Sequence, residues 1–204
     1  MLLAHTLAWT LYEIATHPEV EKRVIEEVDS VLGGADPSWA DLGMLKYIGN
    51  VIKETLRLHP PVPVTSRLVA EDTQIGEFTL KKGNIVNIMI HSLHLREDIW
   101  PDATRFNPDR FQDEAASNRH PYAWMPFQMR ERNCIGMNFA QLEIKTAIAC
   151  IYQRVVLRAD TLLTPRTNGH ITQRPEGLFL YVHDRDGPLA QSTPYIALPK
   201  YVAA

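Results

Sequence analysis

The chain has 204 residues, 45% of them hydrophobic and 22% charged, with a formal net charge of −3. That length supports one or two small domains with a real core, and the charge balance gives no sign of a nucleic-acid partner or an acidic ligand. Two cysteines are too few for a disulfide framework and fit a reducing compartment, and no apolar run is long enough to span a bilayer.

The opening MLLAHTLAWTLYEIA carries Leu3, Leu7, Leu11 and Ile14 at helical spacing. It has no basic n-region or small-residue cleavage site, so it reads as a helix and not a signal peptide. No capping residue precedes its first apolar turn, as expected of a helix that is longer in related chains. Thr16-His17-Pro18-Glu19 then reads as a restart: Thr16 as cap, Pro18 in the first turn, Glu19 completing a capping box. Val20, Val24 and Val28 give that second helix an apolar face up to about Leu32, and Gly33-Gly34 ends it. A third helix is predicted from about Met44 to Leu58, with Leu45, Ile48, Ile52 and Leu56 in a stripe and His59-Pro60-Pro61 as terminator.

Residues 65–69, 74–80 and 84–90 are short, β-branched and bounded by turn residues, so strands are expected. Residues 97–126 hold prolines, aromatics and little periodicity, the mark of a long irregular segment packed around something. A further helix is expected from Met137 to about Arg154. Residues 169–173 and 178–183, joined by Arg174-Pro175-Glu176-Gly177, read as a closing hairpin. The tail after Arg185 is weakly patterned. The order of elements predicts a mainly helical α+β fold.

Cys134 stands in FQMRERNCIGMNF. Arg130, Arg132 and the start of a helix all favour a thiolate there. Gly136 permits a close backbone approach or a left-handed turn. A buried structural cysteine is the plainer alternative, and it is the natural reading of Cys150, which lies mid-helix. A zinc site lacks ligands at the right spacing, and a nucleophile lacks an evident His partner. Glu54 and Arg57 lie three apart on the predicted helix, opposite its apolar stripe. They form either a solvated pair worth about 0.2–0.5 kcal/mol or the centre of a covered polar core, in which case Arg110 is a candidate third member.

Taken in order, ETLRLHPP, FNPDRF and PFQMRERNCIGMNFA resemble the Glu-x-x-Arg helix, the Pro-x-Arg-Phe motif and the cysteine-ligand loop of the cytochrome P-450 superfamily of heme-thiolate monooxygenases. AHTLAWTLYEIATHPEV resembles the end of that family's long central helix and the start of the next, and ITQRPEGLFLYV resembles its closing hairpin. The resemblance covers nearly all of residues 1–204, as the C-terminal portion of one family domain. It implies heme b held through the Cys134 thiolate, with Arg132 and Arg67 as propionate partners and Phe127 and Gly136 against the heme. Glu54, Arg57 and Arg110 correspond to a structural triad, and Val62, Val64 and Thr65 to residues of the substrate pocket. It also implies an NADPH-dependent reductase as electron donor, a small apolar substrate, and an endoplasmic-reticulum membrane home for the full-length parent.

The chain departs from the family pattern at two places. Arg130 stands where the loop normally has Gly, and Gln128 and Met129 replace small residues, so an unfavourable backbone conformation and a reshaped heme site are expected. The oxygen-activating Thr would fall at or just before Leu2 and Leu3, where it is absent, which leaves the catalytic residue unknown. A catalytically inactive remnant is therefore the alternative, and a heme-thiolate isomerase or dehydratase, which needs no external electrons, is a third reading.

Overall fold

The computed structural model describes residues 2–112, 117–160, 163–169 and 171–185; the tail after Arg185 lies outside the described residues. Four helices build the main core: α1 (Leu2–Thr16), α2 (Pro18–Leu32), α4 (Lys46–Leu58) and α6 (Met137–Tyr152), with the short α3 (Trp39–Met44) beside them. Ile14, Val24, Val28, Ile48, Val51 and Ile148 are wholly buried in it. Each sits on the face its helical spacing assigns, so the apolar stripes drive the packing.

The helix boundaries carry two corrections. Thr16 does not cap α2. Its hydroxyl donates to the carbonyls of Tyr12 at 2.9 Å and Glu13 at 3.2 Å, within α1, a bond Thr readily makes to the preceding turn. His17 takes the cap position, and Pro18 and Glu19 still occupy the first turn. The third predicted helix begins at Lys46 instead of Met44, because α3 precedes it with its own capping box between Ser38 and Asp41. The N-terminus of α4 is capped from another helix: the Glu27 carboxylate accepts from the N–H groups of Tyr47 at 2.7 Å and Ile48 at 2.9 Å. A carboxylate there meets both the free donors and the positive end of the helix dipole.

After α4 the chain forms β1 (Val64–Leu68) and β4 (Ile85–Met89), paired antiparallel with Arg67 opposite Val86. The stretch read as one strand from Gln74 to Leu80 is a hairpin, β2 (Thr73–Ile75) with β3 (Phe78–Leu80). Gly76, at φ 57°, turns it back, a conformation that glycine adopts without steric cost. The short α5 (Ile90–His94) follows β4 directly. The described residues of the segment 97–126 include 3-10 turns at Pro108–Phe111 and Pro121–Ala123 joined by irregular stretches. They wrap a small second core of Trp100, Ala103, Phe111 and Ala123.

The closing strands differ from expectation. β8 (Leu180–Asp184) pairs with β5 (Val155–Ala159), while β6 (Arg166–Asn168) pairs with β7 (Arg174–Glu176). Leu178 and Leu180 are buried in the main core, so apolar burial carries this strand to β5 and away from the residues just before it. Arg174-Pro175-Glu176 is strand and not turn. Gly169, at φ 145°, makes the bend, and a Cβ there would lie 1.9 Å from the carbonyl oxygen of Thr172. The result is the mainly helical α+β fold read from the sequence. Among the described residues no helix is long and apolar enough to cross a membrane.

Candidate functional site

Glu54 and Arg57 project from the last turns of α4 and are both completely buried. The solvated-pair reading is thereby excluded. Arg57 donates to Glu54 through Nε at 2.7 Å and Nη2 at 2.8 Å, the bidentate geometry a guanidinium offers a carboxylate. Its remaining donors reach the carbonyls of His94 at 2.8 Å, Ala103 at 2.6 Å and Arg105 at 3.3 Å. Glu54 also accepts from the N–H of Asn107 at 2.9 Å. One ion pair thus fixes the backbone of the irregular segment at three points, Ala103, Arg105 and Asn107, and the end of α5 at a fourth. An isolated buried pair gives little net stability, but one whose donors and acceptors are all used holds a loop that apolar packing alone leaves loose.

Arg110 closes this group from the Pro108–Phe111 turn. Its Nε lies 3.3 Å from Glu54 Oε1 without hydrogen-bond alignment, while its Nη2 donates to the Asp102 carbonyl at 2.7 Å. The three sequence-predicted residues therefore meet, with Arg110 at the rim as an electrostatic neighbour.

The same network reaches the cysteine loop through a residue that spacing did not single out. His94, at the end of α5, is completely buried. Its Nδ1 lies 3.2 Å from the Arg57 carbonyl, and its Nε2 accepts from the Met125 N–H at 3.1 Å. Burial, with Arg57 and His91 nearby, pushes its pKa down to about 4, so the ring is neutral at pH 7. A lone His outside any motif carries no signal in one sequence, and its role emerges only from the tertiary contact.

The loop itself runs from Met125 to Gly136. Its turn is closed by Gln128 N–H donating to the Met125 carbonyl at 3.0 Å and Cys134 N–H donating to the Phe127 carbonyl at 2.9 Å. Cys134 is exposed and ends the loop just before α6, whose N-terminal cap position is Gly136. Gly136 has φ −89°, so it makes no left-handed turn, and its ideal Cβ would stand 4.0 Å from Cys134 Sγ. Ile135 is fully exposed and Phe139, in the first turn of α6, is 71% exposed, an apolar face flanking the thiol. Phe127 is half-buried against the main core. Cys150 is half-buried within α6. No cluster of three or more His, Cys, Asp or Glu able to hold a metal ion occurs among the described residues.

The loop also shows the strain expected of its bulky residues. Gln128 stands at φ 62° and Arg130 at φ 52°, a region costly for any residue with a Cβ. Each is tied down by its side chain. Gln128 Oε1 accepts from Arg67 Nη2 of β1 at 2.8 Å, and Arg130 Nε donates to the Tyr122 hydroxyl. Arg67 is thereby brought to the cysteine loop, with Thr65 as a second partner at 3.0 Å. Arg132 is exposed. Under the loop lies a cavity of about 360 Å³ lined by Trp124, Met125, Phe127, Met129, Arg130 and Met137. Cys134 is not among its lining residues; the thiol opens to the outer surface.

The family pattern described as Cytochrome P450 matches residues 3–180, from the first turn of α1 to the start of β8. Cytochrome P450 4F8 of Homo sapiens is 37% identical over 183 residues, which cover 88% of this chain and 35% of that protein. Cytochrome P450 4V2 of Homo sapiens is 43% identical over 159 residues, 77% of this chain and 30% of that protein. Leukotriene-B4 omega-hydroxylase 3 of Mus musculus is 39% identical over 178 residues, 85% of this chain and 34% of that protein. A crystal structure of a cytochrome P450 (CYP102L1) is similar with a TM-score of 0.84 and 32% identity, covering 90% of this chain and 42% of that one. The chain spans about a third of the length of the curated relatives it matches. With a family pattern running through nearly all of its helices and strands, and a solved relative that shares their arrangement, the chain belongs to the cytochrome P450 family.

Proposed function

We propose that residues 1–204 are the C-terminal portion of a heme-thiolate monooxygenase domain, with Cys134 as the iron ligand. The observation that carries this reading is the exposed thiol of Cys134, placed at the head of α6 by its own N–H bond to Phe127 and flanked by exposed Ile135 and Phe139. A flat, largely apolar group with acidic edges fits such a face. Family membership supports heme b as that group, and when bound it supplies iron that activates O₂, inserting one oxygen atom into an organic substrate and releasing the other as water.

The chain's own part is binding and orientation. Cys134 presents its sulfur at a helix N-terminus, where the dipole favours negative charge. Arg132 in the loop and Arg67 in β1 are the cations for the two propionates, and guanidinium forks suit carboxylates. Phe127 packs behind the ligand and fixes its backbone. Gly136 keeps the surface beside the sulfur free of a side chain. Glu54, Arg57 and Arg110 hold the irregular segment that leads into the loop. Val62, Val64 and Thr65, before and within β1, contribute to the substrate pocket. Electrons come from an NADPH-dependent reductase. The name of the mouse leukotriene-B4 omega-hydroxylase supports a lipid with a long hydrocarbon chain as the substrate class, and an endoplasmic-reticulum membrane is the proposed home of the full-length parent.

Gln128 and Arg130 at positive φ favour a second reading, a catalytically inactive member whose loop no longer seats heme. One experiment separates the two. The purified chain is titrated with heme, reduced and exposed to CO. A thiolate-type Soret band that is lost in Cys134→Ser is the outcome expected of the first reading; absence of any heme uptake leaves the second.

A further inference from the structure

The thiol loop and the buried Glu54–Arg57 pair are far apart in sequence, and the His94 side chain hydrogen-bonds to the backbone of both, at Met125 and at Arg57. Its ring has two partners whose chemistry fixes its tautomer. The Met125 N–H can only donate, so Nε2 is the unprotonated acceptor. The Arg57 carbonyl can only accept, so Nδ1 carries the hydrogen. Arg57 returns the contact, its Nη1 donating to the His94 carbonyl at 2.8 Å. Histidine and arginine are thus locked to each other twice, and the free end of the imidazole grips the first residue of the loop. From Met125 the register passes by backbone bonds: its carbonyl accepts from Gln128, and Phe127 accepts from Cys134. Met125 and Phe127 also line the cavity of about 360 Å³ beside the loop, whereas the imidazole itself is completely buried.

We propose that His94 is a positioning residue for Cys134: its neutral imidazole, held by Arg57, sets where the thiol loop begins and so where the sulfur stands. This rests on the reading of Cys134 as the iron ligand. A second-layer contact of this kind orients a metal ligand without touching the metal.

Two substitutions divide the link. His94→Asn keeps an amide near the Nδ1 position, within reach of the Arg57 carbonyl, and is too short for Met125. His94→Gln extends an amide to the Nε2 position and can accept from the Met125 N–H. The chain is compared in a Cys150→Ala background, so that Cys134 is the one thiol present. Three readouts are taken: amide hydrogen exchange at Met125, the rate at which Cys134 reacts with a thiol reagent, and the Soret band after heme titration. His94→Asn is expected to speed Met125 exchange about tenfold, the loss of one hydrogen bond. It is also expected to change the Cys134 reaction rate several-fold and to weaken the thiolate-type band. His94→Gln is expected to stay within about twofold of the parent on the first two and to keep the band.

A residue that only fills space would respond alike to both substitutions, and equal behaviour of the two variants overturns the proposal, as does an unchanged Cys134 rate in His94→Asn. Should His94→Asn fail to fold, His94→Gln decides alone: a loosened loop in it overturns the link. Failure of the ligand reading shows separately, as an unchanged heme band in Cys134→Ser, because the exchange and thiol-reagent readouts need no heme.

Discussion

Arg130 lies at φ 52° with its guanidinium 5.8 Å from the centre of the Tyr122 ring and its Nε bonded to the Tyr122 hydroxyl. The side chain holds in place a backbone conformation that its own Cβ opposes. Gln128, two residues earlier, repeats the arrangement at φ 62° with Arg67 as its anchor. Both left-handed positions of this loop are thus held by side-chain ties.

The balance of those effects sets the first prediction. A left-handed non-glycine residue costs about 1–2 kcal/mol, glycine's extra freedom in the unfolded chain returns about 0.5–1 kcal/mol of that, and an exposed tie contributes little. Arg130→Gly is therefore expected to stabilise the protein by roughly 0.5 kcal/mol, a rise in Tm of about 1–2 °C for a chain of this length. Arg130→Ala, which keeps the strain and loses the tie, is expected to lower Tm. Thermal unfolding followed by circular dichroism tests both signs, and a Tm that falls in Arg130→Gly means the tie outweighs the strain.

Glu54 and Arg57 give the second prediction. Truncating Glu54 leaves a buried guanidinium without its counter-charge and the Asn107 N–H without an acceptor. Breaking a buried pair from one side costs about 3–5 kcal/mol, so Glu54→Ala is expected to unfold at far lower urea. Arg110 sits at the rim and gives its aligned bonds to backbone carbonyls. Arg110→Ala is expected to cost about 1–2 kcal/mol. Urea midpoints for the two variants should fall in that order; equal losses would mean that the three charges act as one unit.

The capping of α4 gives the third. Glu27 serves two N–H groups from a neighbouring helix, and a charged acceptor at a helix N-terminus contributes about 1–2 kcal/mol. Glu27→Ala should lose that amount in urea unfolding. Glu27→Gln should lose about half of it, since the amide oxygen still accepts from one donor without the charge.

How much of this was legible in sequence follows from how local each determinant is. Apolar spacing marked Val20, Val24 and Val28 and the Ile48–Ile52–Leu56 stripe, because a helix face is set by residues three and four apart. The ordered words around Glu54, Arg110 and Cys134 marked the family, because each is short and contiguous. The bridge at His94, the cap from Glu27 and the Arg67–Gln128 tie were not legible. Each joins residues between 20 and 61 positions apart, and no local pattern requires them. The pairing of β8 with β5 was missed for the same reason: a tight turn is a local signal, but burial of Leu178 and Leu180 in the main core decides the partner.

His94 gives the last prediction, in its pH dependence. Its folded pKa, pushed down to about 4, lies below the ordinary 6.5. The unfolded chain therefore binds the proton more tightly than the folded one between those values. The stability that neutral His94 contributes is complete above pH 6.5 and is lost as pH falls through that window toward 4, at up to about 1.4 kcal/mol per unit. His91, also pushed down by burial and by His59 and Arg57, acts in the same direction. Asp29 and Asp109, held low by Arg185 and Arg23, give up their contribution only below the ordinary carboxylate range, so they do not obscure the histidine window. Urea midpoints at pH 7, 6 and 5 should decline in the parent chain. They should decline less steeply in His94→Gln, which has no proton to take up at that position. Equal slopes in the two proteins would assign the acid sensitivity to His91 and His5, both pushed down by burial, and free His94 of it.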